Sequence, residues 1–300
     1  MGLSSCWGKL GIASKHMTGI GHADLLRIAS RVLMLGLNLA LVAVVSGALA
    51  HAADEGVAAR PVGRELPTDP QTQALVADLV AAGRILADQG VLDGFGHVSV
   101  RDPHRAGVYL MSRSRAPALV KKEDILEHDL DSNPLDGASR DLFLERFIHG
   151  QIYKARPDVM AVIHSHSPTV IPFSVTQVPL KPVAITAGFL YGGVPVFDVR
   201  DHGIDKALLI SNNPLGAALA KGLGERPVVL IRGHGTAVVG PTVRRAVLRA
   251  IYTEVNARLQ QQAMALGGPV TYLAADEAWE PSSLERQWEV LLRQAHQHGM

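Results

Sequence analysis

Cysteine is almost absent from this sequence of 300 residues: the single one is Cys6, near the N-terminus. One thiol cannot build an internal disulfide framework, and it cannot supply a thiolate metal site in the folded part of the chain. Any metal site must therefore use histidine nitrogens and oxygen ligands, and the sequence contains 13 histidines.

The sequence also lacks an excess of charge of either sign. Its 29 Lys and Arg nearly balance its 28 Asp and Glu, which leaves a formal net charge of +1. Composition therefore indicates no basic surface for nucleic acid, and we do not expect nucleic acid as a partner. The hydrophobic content of 47% is enough for a substantial buried core.

One long apolar run is present, near the N-terminus. Two arginines precede the apolar segment 32–50, which ends in the small-residue pattern Ala50-His51-Ala52. This order is typical of a secretory leader, so we expect residues 1–52 to be cleaved and the mature protein to be exported to the periplasm. The run is also long enough to span a bilayer, so an uncleaved N-terminal anchor stays open, as does a cytoplasmic protein with a wrongly assigned start.

The rest of the chain indicates one main domain. Residues 53–69 are rich in Ala, Gly, Pro and charge, which is typical of a linker. The domain is expected over residues 70–275, with a C-terminal helical tail over 276–300. Helical periodicity predicts helices over 72–88, 142–155 and 242–265, and short apolar runs predict strands over 98–101, 108–111, 125–129, 160–163 and 228–231. Without strict alternation, this mixture predicts an α/β domain with a mixed, mostly antiparallel sheet.

His164 and His166 are the strongest local signal for chemistry. Residues two apart on an extended segment point the same way, so both imidazoles can reach one cation. His234 lies between two glycines at the end of another apolar run, where the backbone can turn sharply. Three neutral nitrogen ligands leave coordination positions open, as catalytic metal sites do. Taken alone, the first pair is equally consistent with two polar residues at a strand end.

The wider motif pattern resembles the class II aldolase/adducin family. Glu145-x-x-x-His149 is followed by Ala161-Val162-Ile163-His164-Ser165-His166-Ser167-Pro168 and later by Arg232-Gly233-His234-Gly235, and the resemblance covers residues 72–267. It implies a three-layer α/β/α domain, a homotetramer and one divalent metal ion per subunit, Zn, Mn or Fe. By position, His164, His166 and His234 match the family's metal ligands.

Glu145 matches the catalytic acid/base of that family. Beside an apolar wall its pKa is expected to rise, which suits proton transfer near neutral pH. The alternative is an ordinary glutamate on a helix surface. His149 shares a helix face with Glu145, where it either orients the carboxylate or bonds to the backbone.

Three departures from the sugar-phosphate members concern the substrate. Gly96-His97 replaces their Gly-Asn, the segment 112–115 replaces a glycine-ended turn, and Phe143-Leu144 replaces two serines. Bulky apolar surface therefore replaces small phosphate donors, and Arg113 or Arg115 offers a guanidinium suited to a carboxylate. The expected substrate-binding residues are His97, Ser112, Ser114, Arg115 and Phe143. The alternative is that the arginines face solvent and backbone donors bind a phosphate.

These features predict a metal-dependent carbon–carbon lyase, an aldolase or a decarboxylase. Its small-molecule substrate is expected to be a non-phosphorylated hydroxy-keto or aromatic carboxylate, cleaved through a stabilised enediolate. The alternatives are a sugar-phosphate aldolase or epimerase, a mononuclear iron oxygenase on the same scaffold, and an adducin-like binding module. The last is disfavoured because adducin-type heads lack the three histidines.

Overall fold

A computed structural model describes residues 66, 68–136, 141–203 and 208–298. The chain divides into two units, Met1–Pro61 and Val62–Met300, and all described residues lie in the second. The predicted leader and most of the predicted linker therefore lie outside the described residues. Among the residues that are described, no helix is both long and apolar enough to cross a bilayer.

The described part of the chain contains a sheet of seven strands in the order β3-β2-β1-β4-β7-β6-β5. The strands are β1 (His97–Arg101), β2 (Val108–Ser112), β3 (Ile125–Asp129), β4 (Ala161–Ser165), β5 (Val196–Phe197), β6 (Val228–Ile231) and β7 (Gly235–Gly240). Neighbouring strands are antiparallel, except that β5 and β6 are parallel. The predicted mixed, mostly antiparallel sheet is confirmed.

Helices cover both faces of the sheet. They are α1 (Pro70–Asp88), α2 (Phe147–Ala155), α3 (Ile171–Ser174), α4 (Asn213–Leu223), α5 (Val243–Ala265) and α6 (Glu285–Gln297). Residues of α1, α5 and α6 belong to one buried apolar cluster, whereas residues of α2 and α4 belong to another. The expected three-layer α/β/α arrangement is therefore confirmed.

The period-2 alternation of the central strands decides what each face of the sheet carries. On β1, Val98 and Val100 join the cluster of α1 and α5. His97 and Ser99 point to the opposite face, where both contact His149 of α2. The α2 face therefore carries the buried imidazoles of β1 and β4, since His97 lies opposite His164 in the sheet.

The helix α2 begins five residues later than the sequence predicts. Residues 144–146 form a turn, and α2 starts at Phe147. The Arg146 guanidinium donates to the carbonyl oxygens of Phe143, at 3.0 Å, and Ser132, at 2.9 Å. These bonds hold a turn where the apolar spacing continued a helix, so Glu145 lies before α2 and not on its surface.

The C-terminal segment contributes to the core. Within the predicted tail, α6 packs on α1 and buries Trp288, Leu291 and Ala295. The guanidinium of Arg244 lies 5.2 Å from the centre of the Trp288 ring. The boundary expected at residue 275 stays a prediction.

Candidate active site

Three elements bring the three histidines together. His164 lies in β4, His166 follows that strand, and His234 lies in the turn between β6 and β7. Since β4 and β7 are neighbours in the sheet, this turn meets the end of β4. A Cβ on Gly235 would overlap the carbonyl oxygen of Ser165, and Gly233 has a φ of +64°. The two glycines that flank His234 are therefore required for this close approach.

Each of the three imidazoles has its Nδ1 bonded to a fixed oxygen. His164 Nδ1–H donates to the Thr236 carbonyl at 2.9 Å, and His234 Nδ1–H donates to the Leu208 carbonyl at 3.0 Å. His166 Nδ1–H donates to the Asp93 carboxylate at 3.1 Å. In the neutral rings these bonds leave every Nε2 with a lone pair and no hydrogen.

The three Nε2 atoms converge on one point. His166 Nε2 lies 3.2 Å from His164 Nε2 and 3.1 Å from His234 Nε2. No hydrogen can bridge these neutral nitrogens, so their lone pairs repel one another unless a cation lies between them. Nitrogen ligands at about 2.0–2.1 Å from a tetrahedral ion stand roughly 3.3–3.4 Å apart. The set therefore fits a divalent metal ion, and together with a Glu145 oxygen its ligand atoms lie within 4.8 Å of one another.

Glu145 lies against this cluster. Its Oε2 is 3.2 Å from His234 Nε2 and 3.5 Å from His164 Nε2, and its Oε1 accepts the Ile210 N–H at 2.9 Å. Burial raises the pKa of this carboxyl group, but the positive charge of His164 and His234 in their protonated form outweighs burial and lowers the pKa well below its ordinary value. When these imidazoles are neutral, a cation held by their Nε2 atoms would supply the same charge. The expectation of a raised pKa is wrong, because it counted the apolar wall and not the adjacent imidazoles.

Two of the five expected substrate-binding residues lie beside the histidine cluster. The His97 ring centre is 5.0 Å from that of His164 and 4.5 Å from that of Phe143. His97 and Phe143 are both buried. Ser112, at the end of β2, instead lines a small cavity with Leu79 and Val98, which belong to the α1 cluster on the opposite face of the sheet. His97 and Phe143 alone therefore form a wall next to the histidine cluster.

The last two of the five, Ser114 and Arg115, lie in the loop that follows β2. The backbone N–H of Ser114 donates to the Asp141 carbonyl, and Arg115 Nε donates to the Leu119 carbonyl at 2.7 Å. Arg115 Nε also lies 3.5 Å from Asp124, a carboxylate that accepts from Arg113 Nε at 2.7 Å. A contact of Ser112, Ser114 or Arg115 with a substrate stays a prediction.

His149 has a different environment from either alternative drawn from the sequence. Its Nε2 lies 2.7 Å from His97 Nδ1, and its Nδ1 lies 2.6 Å from the Ser99 hydroxyl. Burial, and then the neighbouring imidazoles, hold the pKa of both His97 and His149 well below the ordinary value. Both rings are therefore neutral, and His149 is bonded to His97 in place of Glu145 or the backbone.

Several groups at this site carry no sequence signal. Asp93 holds His166 and also accepts the backbone N–H groups of Phe95 and Gly96, so it fixes its own loop against the cluster. Leu208, with a φ of +40°, supplies the carbonyl that holds His234. An aspartate within Leu92-Asp93-Gly94 is typical of an ordinary turn. A backbone carbonyl is common to every residue type, so its role cannot be predicted from the sequence.

Comparison with known proteins indicates the family of this chain. The model of the class II aldolase and adducin N-terminal domain matches residues 77–261. Decarboxylase tropJ of Talaromyces stipitatus is 36% identical over 255 residues, which covers 75% of this chain and 95% of the relative. The 3,4-dihydroxyphthalate decarboxylase of Arthrobacter keyseri is 33% identical over 219 residues, which covers 66% of this chain and 83% of the relative.

The fold has solved counterparts. The L-fuculose 1-phosphate aldolase of Glaciozyma antarctica PI12 matches with a TM-score of 0.62 and 24% sequence identity, over 78% of this chain and 95% of that one. At this identity the likeness concerns the fold alone. With the family match, the two decarboxylase relatives and the converging histidines, this chain belongs to the class II aldolase and adducin family, and it is a lyase of that family.

Proposed function

We propose that this lyase is a metal-dependent decarboxylase of a hydroxylated aromatic carboxylate that carries no phosphate. The observation that carries the proposal is the wall beside the cluster, where the Phe143 ring packs 4.5 Å from His97. An aromatic wall favours a flat apolar ring, whereas a phosphate placed there would lose its hydration without matched donors. The name of the Arthrobacter keyseri relative, 3,4-dihydroxyphthalate decarboxylase, supports the same substrate class, and the name of tropJ supports decarboxylation.

His164, His166 and His234 would hold the metal ion through their Nε2 atoms. A divalent ion bound there supplies a Lewis acid that stabilises negative charge on an adjacent substrate oxygen. The Zn, Mn or Fe identity stays open, because three imidazoles and a carboxylate suit each of these ions.

Glu145 would transfer a proton from a hydroxyl group of the substrate to its ring. Its lowered pKa makes it a carboxylate at the start, so it can accept the proton of a substrate hydroxyl. It can then return that proton to the ring carbon that bears the carboxyl group. As the carbon–carbon bond breaks, its electron pair restores the aromatic ring and carbon dioxide leaves, so atoms and charge balance.

The test is turnover of the purified chain after loading with Zn²⁺, Mn²⁺ or Fe²⁺ separately. We expect carbon dioxide release from dihydroxyphthalates and related hydroxybenzoates, with and without oxygen, and no cleavage of fuculose or ribulose phosphates. Glu145→Gln should keep its metal and lose roughly 100-fold or more in kcat. Efficient cleavage of a sugar phosphate would refute the proposal, and turnover that requires oxygen would favour an oxygenase.

The predictions of a cleaved leader and of a homotetramer stay proposals. N-terminal sequencing of the protein from a two-membrane host should give a start at or near Ala53. Light scattering of the purified protein should give four times the mass of the mature chain.

A further inference from the structure

A chain of four buried side chains runs from α2 through β1 to the edge of the active site. The Tyr153 hydroxyl lies 2.8 Å from Ser99 Oγ, and Ser99 Oγ lies 2.6 Å from His149 Nδ1. His149 Nε2 then lies 2.7 Å from His97 Nδ1. None of the four residues is more than 3% exposed. Water therefore does not compete for these bonds.

Hydrogen-bond accounting sets the direction of this chain. In the described part of the protein, Ser99 Oγ is the acceptor that lies against the Tyr153 hydroxyl, so the phenol O–H donates to Ser99. Ser99 has one hydrogen, which it donates to His149 Nδ1. His149 therefore carries its proton on Nε2 and donates it to His97 Nδ1. The reverse direction would leave the phenol hydrogen buried without an acceptor.

The last step leaves His97 with its proton on Nε2. We propose that the chain Tyr153–Ser99–His149 locks His97 as the Nε2–H tautomer, and that this Nε2–H donates to an oxygen of the substrate's carboxylate beside the metal site. The identity of the bound carboxylate rests on the proposed function, whereas the locked tautomer does not. Tyr153, Ser99 and His149 act through His97 as positioning residues.

The locked tautomer also accounts for which histidines form the cluster. The His97 ring lies 5.0 Å from the His164 ring, as close as His166 and His234 do. His164, His166 and His234 each present an Nε2 with a free lone pair. His97 instead presents an Nε2–H, so it has no lone pair left for a cation. Histidine thus serves both as a metal ligand and as a hydrogen-bond donor in this fold. The role of each ring depends on whether its Nδ1 donates a hydrogen bond or accepts one.

The direct test is nitrogen NMR of the full, zinc-loaded chain with ¹⁵N-labelled histidine, since zinc is diamagnetic. We expect the signals of both His97 and His149 to show a protonated Nε2 and a bare Nδ1, with assignment by loss of each signal in His97→Gln and His149→Gln. A protonated Nδ1 on His97 would overturn the proposal. This readout requires no substrate, so it stands apart from any failure of the proposed decarboxylation.

The second test compares two buried tyrosines on the same face of the sheet. Tyr153→Phe removes the donor that begins the chain, so we expect mixed tautomers at His97 and a KM for the carboxylate raised about fivefold to tenfold, with zinc stoichiometry unchanged. Tyr109→Phe is the matched control, because Tyr109 is equally buried but donates to the Arg146 carbonyl at 3.3 Å. It should change neither the tautomer nor KM. Equal KM effects in both variants would reduce the chain to a structural role and refute the proposal.

Discussion

The orientation of the three metal-site imidazoles depends on groups that do not touch the expected ion. Two of these groups are backbone carbonyls, which no substitution removes, but the third is the carboxylate of Asp93. Asp93 is also the one of the three with a full negative charge, so it makes the His166 imidazole a better donor to a cation. Its contribution can therefore be measured by a single substitution.

We expect Asp93→Asn to weaken zinc binding by roughly 10-fold to 100-fold without unfolding the protein. The asparagine oxygen can still accept the N–H groups of Phe95 and Gly96, so the loop is retained while the charge against His166 is lost. Titration with a competing chelator gives the zinc affinity. Asp131→Asn, in an exposed turn, is the control, and His166→Ala sets the limit for loss of a ligand. An affinity equal to that of the wild type would show that Asp93 is not coupled to the site.

The sequence predicted which residues form the cluster better than it predicted their protonation and their hydrogen bonds. The H-x-H spacing and the glycines around His234 have direct physical meanings, and the structure brings these histidines and Glu145 together. The pKa of Glu145 was predicted in the wrong direction, because that pKa depends on which groups the fold places around it. The bonds from His149 to His97 and Ser99 were also missed, since they join α2 to a strand about 50 positions earlier.

At the scale of elements, long periodic segments and β-branched runs were predictable. The strands β3 and β6 have the bounds that their apolar runs indicated, and α5 begins one residue after its predicted start because Thr242 caps it. In contrast, β7 was missed because Gly235 and Gly240 bound it and read as loop. The helix α4 was also missed, although the Asn212 cap and the Pro214 that follows are a start signal.

The helix α6 provides a test of whether the C-terminal segment stabilises the domain. Trp288 is 4% exposed between α1 and α5, so we expect Trp288→Ala to lower the free energy of unfolding by about 3–5 kcal/mol. Trp279→Ala is the matched control, because Trp279 is 50% exposed and its loss should cost much less. Urea unfolding followed by circular dichroism measures both. Equal stability of the two variants would mean that the packing of α6 does not stabilise the domain.

On the scale of the whole molecule, the two faces of the sheet have different chemistry. The α1, α5 and α6 face is mostly apolar, with buried amides such as Asn256 and Gln260 on α5, whereas the α2 face buries imidazoles and phenols next to aliphatic side chains. This asymmetry was not predictable, because the alternation of a strand shows that its faces differ but not which helix covers each one. The asymmetry lowers the stability of the protein at acidic pH, because a buried neutral histidine opposes folding when it must carry a proton.

His128 allows this loss of stability to be measured separately, because it is buried on the α2 face but lies outside the metal cluster. Its ring stacks on Tyr109 at 5.0 Å, and its Nδ1 has no partner among the described residues. Burial, and then the charge of Arg146, lower its pKa from 6.5 to about 4, although a hydrogen bond to the Leu126 backbone and the charges of Asp136 and Asp129 act in the opposite direction. Between pH 6.5 and 4 the unfolded chain therefore binds a proton at this position that the native chain does not.

The stability contributed by neutral His128 is complete above pH 6.5 and is lost as the pH falls toward 4. A difference of about 2.5 pKa units corresponds to roughly 3 kcal/mol. We therefore expect the free energy of unfolding, measured with urea in the presence of a chelator, to fall about 3 kcal/mol less in His128→Phe than in the wild type between pH 7 and pH 4. The carboxylates titrate alike in both proteins, so their contribution cancels in this comparison. His104→Ala, which removes an exposed histidine, should follow the wild type. Parallel curves for the wild type and His128→Phe would show that His128 takes up its proton equally in the native and unfolded states, and that its burial carries no pH-dependent cost.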